Sequence, residues 1–396
     1  MMRLLISVAI ISLAIIYLPI STISSANELC PNVVNYYRET SAPTITVMDF
    51  KISPDGKTLL LSSPVGLYLY DAKSLSYIDT IRCNDDNTKS YYRFAWSPDN
   101  LQFALYYSTC VGIQIRDLLN RTVQKTLSFP NDDPYCADPF PEEPYTGIGL
   151  VNNLLWSPNG QYLAAIGNEP MPLRVWDLKT NTALLVDPPV FSGRQPNLQP
   201  APIAWSPDGT QLVYAHDCRV DQWNNVSKAF TLQFDLPCEN TDVSYYRISW
   251  STKNRIAIAK GHDPLFIWDM DGKRLLPLTP NEEISSITNV AWSPDGTILA
   301  AVTPPETGKP GTNNITFLDT NGKILSQITS NPERIEEIEW HPDGKHLYIL
   351  SEDNVLSRQF RLYDVTSRKV IAFLNSCVTW HNENPAFDCE NYTGNS

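Results

Sequence analysis

The sequence predicts an all-β fold, a seven-bladed β-propeller of four-stranded antiparallel blades. Two observations carry the prediction. A phrase made of an apolar residue, usually Trp, then Ser-Pro-Asp-Gly or a worn version of it, occurs seven times. A second phrase, an aromatic, aliphatic or Arg residue followed by Asp or Asn, recurs in phase with it. A period mostly in the forties with a tight turn at fixed phase marks a radial or solenoidal array rather than a string of separate domains.

In chain order, residues 1–26 read as a secretory signal. Arg3 precedes an apolar run from Leu4 to Ile20, and Ser24-Ser25-Ala26 supplies small residues for cleavage. Because the run is long, an uncleaved anchor is the alternative. No second stretch is apolar enough to span a membrane. Residues 27–43 form an N-terminal segment, 44–375 the propeller and 376–396 a C-terminal tail.

The repeats read Ile52-Ser53-Pro54-Asp55-Gly56, Trp96-Ser97-Pro98-Asp99-Asn100, Trp156-Ser157-Pro158-Asn159-Gly160, Trp205-Ser206-Pro207-Asp208-Gly209, Trp250-Ser251-Thr252-Lys253-Asn254, Trp292-Ser293-Pro294-Asp295-Gly296 and Trp340-His341-Pro342-Asp343-Gly344. Blade 3 shows the element pattern. Val151–Trp156 is strand-like, and Ser157 to Gly160 is a turn in which Pro presets φ and Gly accepts a positive one. Gln161–Ile166, Leu173–Trp176 and Thr182–Val186 follow as strands b, c and d, closed by short hairpins. Seven such blades form a disc with short, protected edges. Blade 7 ends with its own d strand, Lys369 to Leu374, so the ring is expected to close without an N-terminal strand joining the last blade.

The third strands end Tyr70-Asp71, Arg116-Asp117, Trp176-Asp177, Trp223-Asn224, Trp268-Asp269, Leu318-Asp319 and Tyr363-Asp364. On these residues the chain resembles the WD-repeat family, whose third strands end in Trp-Asp. Ser-Pro-Asp-Gly before the second strand is also similar to bacterial WD repeats and Tol-type periplasmic propellers. The resemblance spans roughly residues 44 to 375. It implies the fold but not the family's internal hydrogen-bond tetrad, because no blade has the Gly-His pair at the position that the tetrad uses.

The chain carries 30 basic and 43 acidic residues, a net charge of −13, and losing the leader with Arg3 makes it more acidic. Such a surface repels phosphate backbones, which argues against nucleic acid as a partner. Eight cysteines in a secreted chain favour disulfides over metal sites. All eight can reach the face formed by the b–c and d–a loops. Cys218–Cys238 and Cys377–Cys389 are the preferred pairs. Cys110–Cys136 with Cys30–Cys83 would complete the set, and Cys83–Cys110 is the main alternative. The sequons at Asn120, Asn225, Asn314 and Asn391 read most simply as ordinary polar-chain asparagines.

The loop face holds the candidate binding residues. Pro130 to Gly149 is a long insertion rich in Pro, aromatic and acidic residues; 188–202 and 304–311 are plainer ones. Ser90-Tyr91-Tyr92-Arg93 opens blade 2, and Ser244-Tyr245-Tyr246-Arg247 opens blade 5. Three positions before each Trp slot stand Asp49, Arg93, Asn153, Pro202, Arg247, Asn289 and Glu337, a ring able to hold a peptide or anion by charge-assisted bonds. The competing reading is that these groups pair with one another around a channel. Nine of the ten tryptophans fill repeat slots and are read as packing; Trp380 is outside them.

Catalytic patterns are missing: there is no Gly-x-Ser-x-Gly, no phosphate-cradling glycine loop and no His-Glu-x-x-His. Asp55, Asp99, Asp208, Asp295 and Asp343 are explained by turn chemistry. The histidines read as scattered, with His216-Asp217 and His262-Asp263 the only neighbours that would suit a hydrolase, lactonase or metal. The expected function is a secreted or extracytoplasmic, monomeric, non-catalytic propeller without cofactor or metal. It would bind a protein or peptide through Asp49, Tyr91, Tyr92, Arg93, Tyr245, Tyr246, Arg247 and Glu337. The alternatives are a hydrolase or lyase with a channel active site, and, as the Tol-type resemblance implies, a glycan-binding or envelope-assembly propeller.

Overall fold

The computed structural model describes residues 47, 49–63, 66–81, 93–108, 112–128, 151–167, 173–185, 202–216, 218–237, 246–260, 263–276, 287–303, 313–329, 334–352 and 358–375. The leader, the tail and the 130–149 insertion lie outside them. So do Tyr91, Tyr92, Asp217, Tyr245, His262 and Trp380, and every cysteine except Cys218.

The chain forms seven four-stranded antiparallel sheets, each built from four consecutive strands. The inner strands, called a here, are Asp49–Ile52, Arg93–Trp96, Val151–Trp156, Ile203–Trp205, Tyr246–Trp250, Asn289–Trp292 and Arg334–Trp340. The a–b hairpin is set by its own side chains. In blade 1 the Ser53 hydroxyl donates to Asp55 Oδ1 at 2.7 Å and accepts the Thr58 N–H at 2.9 Å. The fourth turn residue of all seven blades has positive φ, from 54° at Asn254 to 75° at Gly160. The Asp or Asn ending each c strand caps the next turn. Asp71 Oδ1, for example, accepts the Ser74 N–H at 2.8 Å, and Asn224 Oδ1 accepts that of Val226 at 2.8 Å.

Apolar side chains lie on both faces of each blade because each blade is covered on both sides. The described residues form seven apolar clusters, and each straddles one pair of adjacent blades. Seven blades with seven shared cores make a closed ring. Trp176 and Trp223 are fully buried in these interfaces. Several slot tryptophans also stitch neighbouring inner strands: Trp96, Trp205 and Trp340 donate Nε1–H to the carbonyls of Lys51, Leu155 and Ala291, at 3.0–3.2 Å.

As expected, among the described residues no strand is exchanged at the seam between blades 7 and 1. The slot residue on the blade 1 side is Ile52, which has no indole to donate. Side chains take over. Phe50 packs edge-on against Phe360 at 4.9 Å, Arg358 donates to the Val47 carbonyl at 2.8 Å, and the Tyr348 hydroxyl donates to the Ala72 carbonyl. His341 bonds the Gly56 carbonyl at 2.9 Å.

Gly56 and Gly344 have matching φ values of +70° and +66°, but an added Cβ would meet His341 at 2.8 Å in the first case and nothing nearer than 3.9 Å in the second. Gly344→Ala is therefore expected to cost about 1–2 kcal/mol from backbone strain. Gly56→Ala should cost about 1–3 kcal/mol more through overpacking of the seam. Urea unfolding of the two variants side by side checks the difference.

Candidate site at the channel mouth

The inner strands run from the loop face toward the Ser-Pro-Asp-Gly turns, so residues three before the Trp slot sit near the loop-face mouth of the channel. Charged groups from several blades meet there. Arg93 of blade 2 pairs with Asp49 of blade 1 at 3.2 Å. Lys51 of blade 1 pairs with Glu337 of blade 7 at 2.9 Å and lies 3.8 Å from Asp49. Arg247 of blade 5 and Asn289 of blade 6 both donate to the backbone carbonyl of Glu336, at 3.4 and 3.2 Å.

That carbonyl is available because strand a of blade 7 is irregular. Ile335 pairs with Ser351 and Glu337 with Leu350, which leaves Glu336 as the extra residue of a β-bulge. The Glu336 carboxylate is held in turn by Arg358 at 3.1 Å. One bulge thus collects side chains from three other elements.

Burial sets the electrostatics. It pushes the Glu339 carboxyl up to about 7, with the Glu337 charge adding to the effect and Lys51 opposing it. Glu339 Oε2 is sealed from solvent without a hydrogen-bond partner. Burial also lowers Arg247 to about 10, and its Nε has no partner. For Lys51, burial acts downward, but the carboxylates of Glu337 and Asp49 outweigh it and hold the ammonium above its usual range. Burial raises Asp49, whereas Lys51 overcomes burial at Glu337 and keeps it ionised.

The structure therefore brings together Asp49, Arg93, Arg247, Asn289 and Glu337, five of the seven ring positions read from sequence. Asn153 and Pro202 stand at the same position of their own blades, where Pro202 accepts the Ala215 N–H through its carbonyl at 2.9 Å. Lys51, Glu336, Glu339 and Arg358 were missed. Lys51 and Glu339 were legible as the next outward step of the same strands, two residues after Asp49 and Glu337; the bulge at Glu336 was not. Tyr246 has a structural duty, since its hydroxyl accepts the Cys218 N–H at 2.9 Å.

Of the two His-Asp neighbours, Asp217 and His262 lie outside the described residues. His216 is buried, stacks on Tyr214 at 4.6 Å and pairs with Asp221 at 2.9 Å across the b–c hairpin. Asp263 pairs with Lys260 at 3.0 Å. Nor are all the histidines scattered. Among the described residues, one group has the geometry to share a metal ion: His341, Asp343 and His346, on the turn face of blade 7. Of the eight cysteines only Cys218 is among the described residues, with Lys260 Nζ 3.4 Å from its Sγ.

No family model matches the chain. It is similar to the intraflagellar transport protein 80 homologs of Mus musculus and Rattus norvegicus, 23% identical to each over 196 residues. The match covers 48% of this chain and 22% of either relative, so it spans about a fifth of their length. The fold is a seven-bladed propeller, and this distant likeness supports a WD40-like type. Among the described residues, no helix is long and apolar enough to cross a membrane.

Glu339 yields a pH prediction. An acid raised in the folded state keeps its proton longer there than in the unfolded chain, so stability is lost as pH rises from about 4.5 through about 7. Glu339→Gln should remove that loss, gaining up to roughly 3 kcal/mol over wild type at pH 8 and close to nothing at pH 4. Chemical denaturation across that range measures it. Lys51→Met should destabilise by about 2–3 kcal/mol, between exposed and buried ion pairs, because Glu337 and Asp49 lose their shared cation.

Proposed function

We propose that the chain is an extracytoplasmic, non-catalytic binding scaffold that takes a protein or peptide partner on its b–c/d–a loop face, with the channel mouth as anchor. The supporting observation is the convergence of Arg93 and Arg247 with Asp49, Glu336 and Glu337 at one mouth, beside buried polar atoms of Arg247 and Glu339 whose bonding capacity is unused. Guanidinium groups in such a partly dry site favour carboxylates and backbone carbonyls, the groups a peptide offers. Exposed loops on a rigid disc provide the surrounding contact area.

The leader-like N-terminus and the cysteine content support an oxidising, extracytoplasmic setting, in which Cys218 would pair with Cys238 and Cys377 with Cys389. The Tol-type character of the repeats belongs to the same reading. Catalysis is disfavoured by the chemistry at hand: the described His-Asp pair, His216 with Asp221, is buried under Tyr214. The curated relatives are named for intraflagellar transport, and that role is theirs.

Crosslinking with mass spectrometry on the natively produced protein should recover an extracytoplasmic protein joined to the loop face. Arg93→Ala combined with Arg247→Ala should reduce that recovery at least tenfold, as about 1.4 kcal/mol or more of lost binding would. Unchanged recovery from a variant that still melts cooperatively would sink the channel-mouth anchor.

A further inference from the structure

We infer that His341, Asp343 and His346 form a binding site for a divalent first-row transition ion such as zinc. The site lies on the turn face, away from the channel mouth, and does not depend on the function proposed above.

The inference begins with a replaced donor. In six blades the residue after the slot is Ser, and in five of these its hydroxyl donates to the carboxylate or amide oxygen two residues on, at 2.5–2.8 Å. Blade 7 has His341 in that place. Its Nε2 lies 2.9 Å from the Gly56 carbonyl oxygen, which can only accept, so Nε2 carries the proton. Its Nδ1 receives the backbone N–H of Asp343 at 3.0 Å, which can only donate. Nδ1 therefore bears a lone pair, yet Asp343 Oδ1 sits 3.0 Å away. Two acceptors face each other where every serine blade has a donor. A proton on Nδ1 would set it against the amide N–H. A divalent cation bound by both atoms resolves the conflict, with the amide yielding as it enters.

His346 completes the set. Its Nδ1 lies 2.8 Å from Asp343 Oδ2, and its Nε2 faces Asp364 Oδ2 at 3.8 Å. An entering ion would take Nδ1 from its hydrogen bond with Asp343, the ring proton moving to Nε2 on the side of Asp364. Both rings thus present Nδ1 toward Asp343 and turn Nε2 to an oxygen, the outer-sphere arrangement that orients metal-bound histidines. The three ligand atoms lie within 4.8 Å of one another. Two imidazoles and a carboxylate suit zinc or a neighbouring transition ion, leaving a position for water. Asp343 and His346 are partly exposed, which supplies an entry path. The competing cation is Lys73, 3.5 Å from Asp343 Oδ2 on a largely exposed side chain that can swing away. Because His341 also bonds Gly56, a bound ion would brace the blade 7–blade 1 seam.

The test is calorimetric titration of the full secreted chain with zinc chloride and nickel chloride near neutral pH, alongside thermal melting. One ion per chain and a raised Tm are expected. His346→Ala and Asp343→Asn should each weaken affinity at least tenfold. His341→Ser, which restores the donor of the other blades, should abolish binding and the zinc-dependent Tm shift, on a metal-free Tm lowered by loss of the Gly56 contact. Absence of stoichiometric binding, or equal binding by wild type and His341→Ser, would overturn the site.

Discussion

A ring of blades is only as closed as its last interface, and here that interface has no shared strand. Each of the other six seams joins consecutive blades that the chain itself keeps together. The seam between blades 7 and 1 must bring residues more than 280 positions apart into contact, as His341 and Gly56 are. Loop-closure entropy opposes this, and side-chain contacts must offset it. The seam accordingly concentrates aromatic packing of Phe50, Tyr348 and Phe360, carbonyl-directed bonds from Arg358, Tyr348 and His341, and the Lys51–Glu337 ion pair.

The same closure explains the electrostatics of the channel. Drawing seven inner strands around an axis leaves their polar side chains facing one another in a narrow space with little water. Charges there need partners. Asp49, Lys51, Arg93 and Glu337 find them across blade boundaries, so the network that shapes the mouth also ties blades 1, 2 and 7 together. What remains unmatched is Arg247 Nε and Glu339 Oε2, whose burial without partners costs stability.

Much of this was legible in the residues. The Ser-Pro-Asp-Gly and Trp-Asp phrases mark turns made by contacts two to five residues long, and such contacts are written locally. Slot tryptophans could be read as packing for the same reason. Five members of the channel ring followed from counting back from the slot. The bulge at Glu336 could not be read, since a one-residue irregularity leaves the polarity pattern of Arg334–Trp340 almost unchanged. The pairing of His216 with Asp221 depended on the b–c register. His341 was aligned as a worn serine, and its meaning appeared only when Gly56, nearly the whole chain away, was found against its Nε2.

By itself the sequence determined the number of blades, their strand order and the chemistry of every tight turn, because those depend on local periodicity and on side chains that bond their own backbone. Tertiary structure alone decided which charged groups meet at the mouth and which acceptors confront each other in the last turn. Both depend on how the ring closes, and closure is a property of distances between blades that no local pattern encodes.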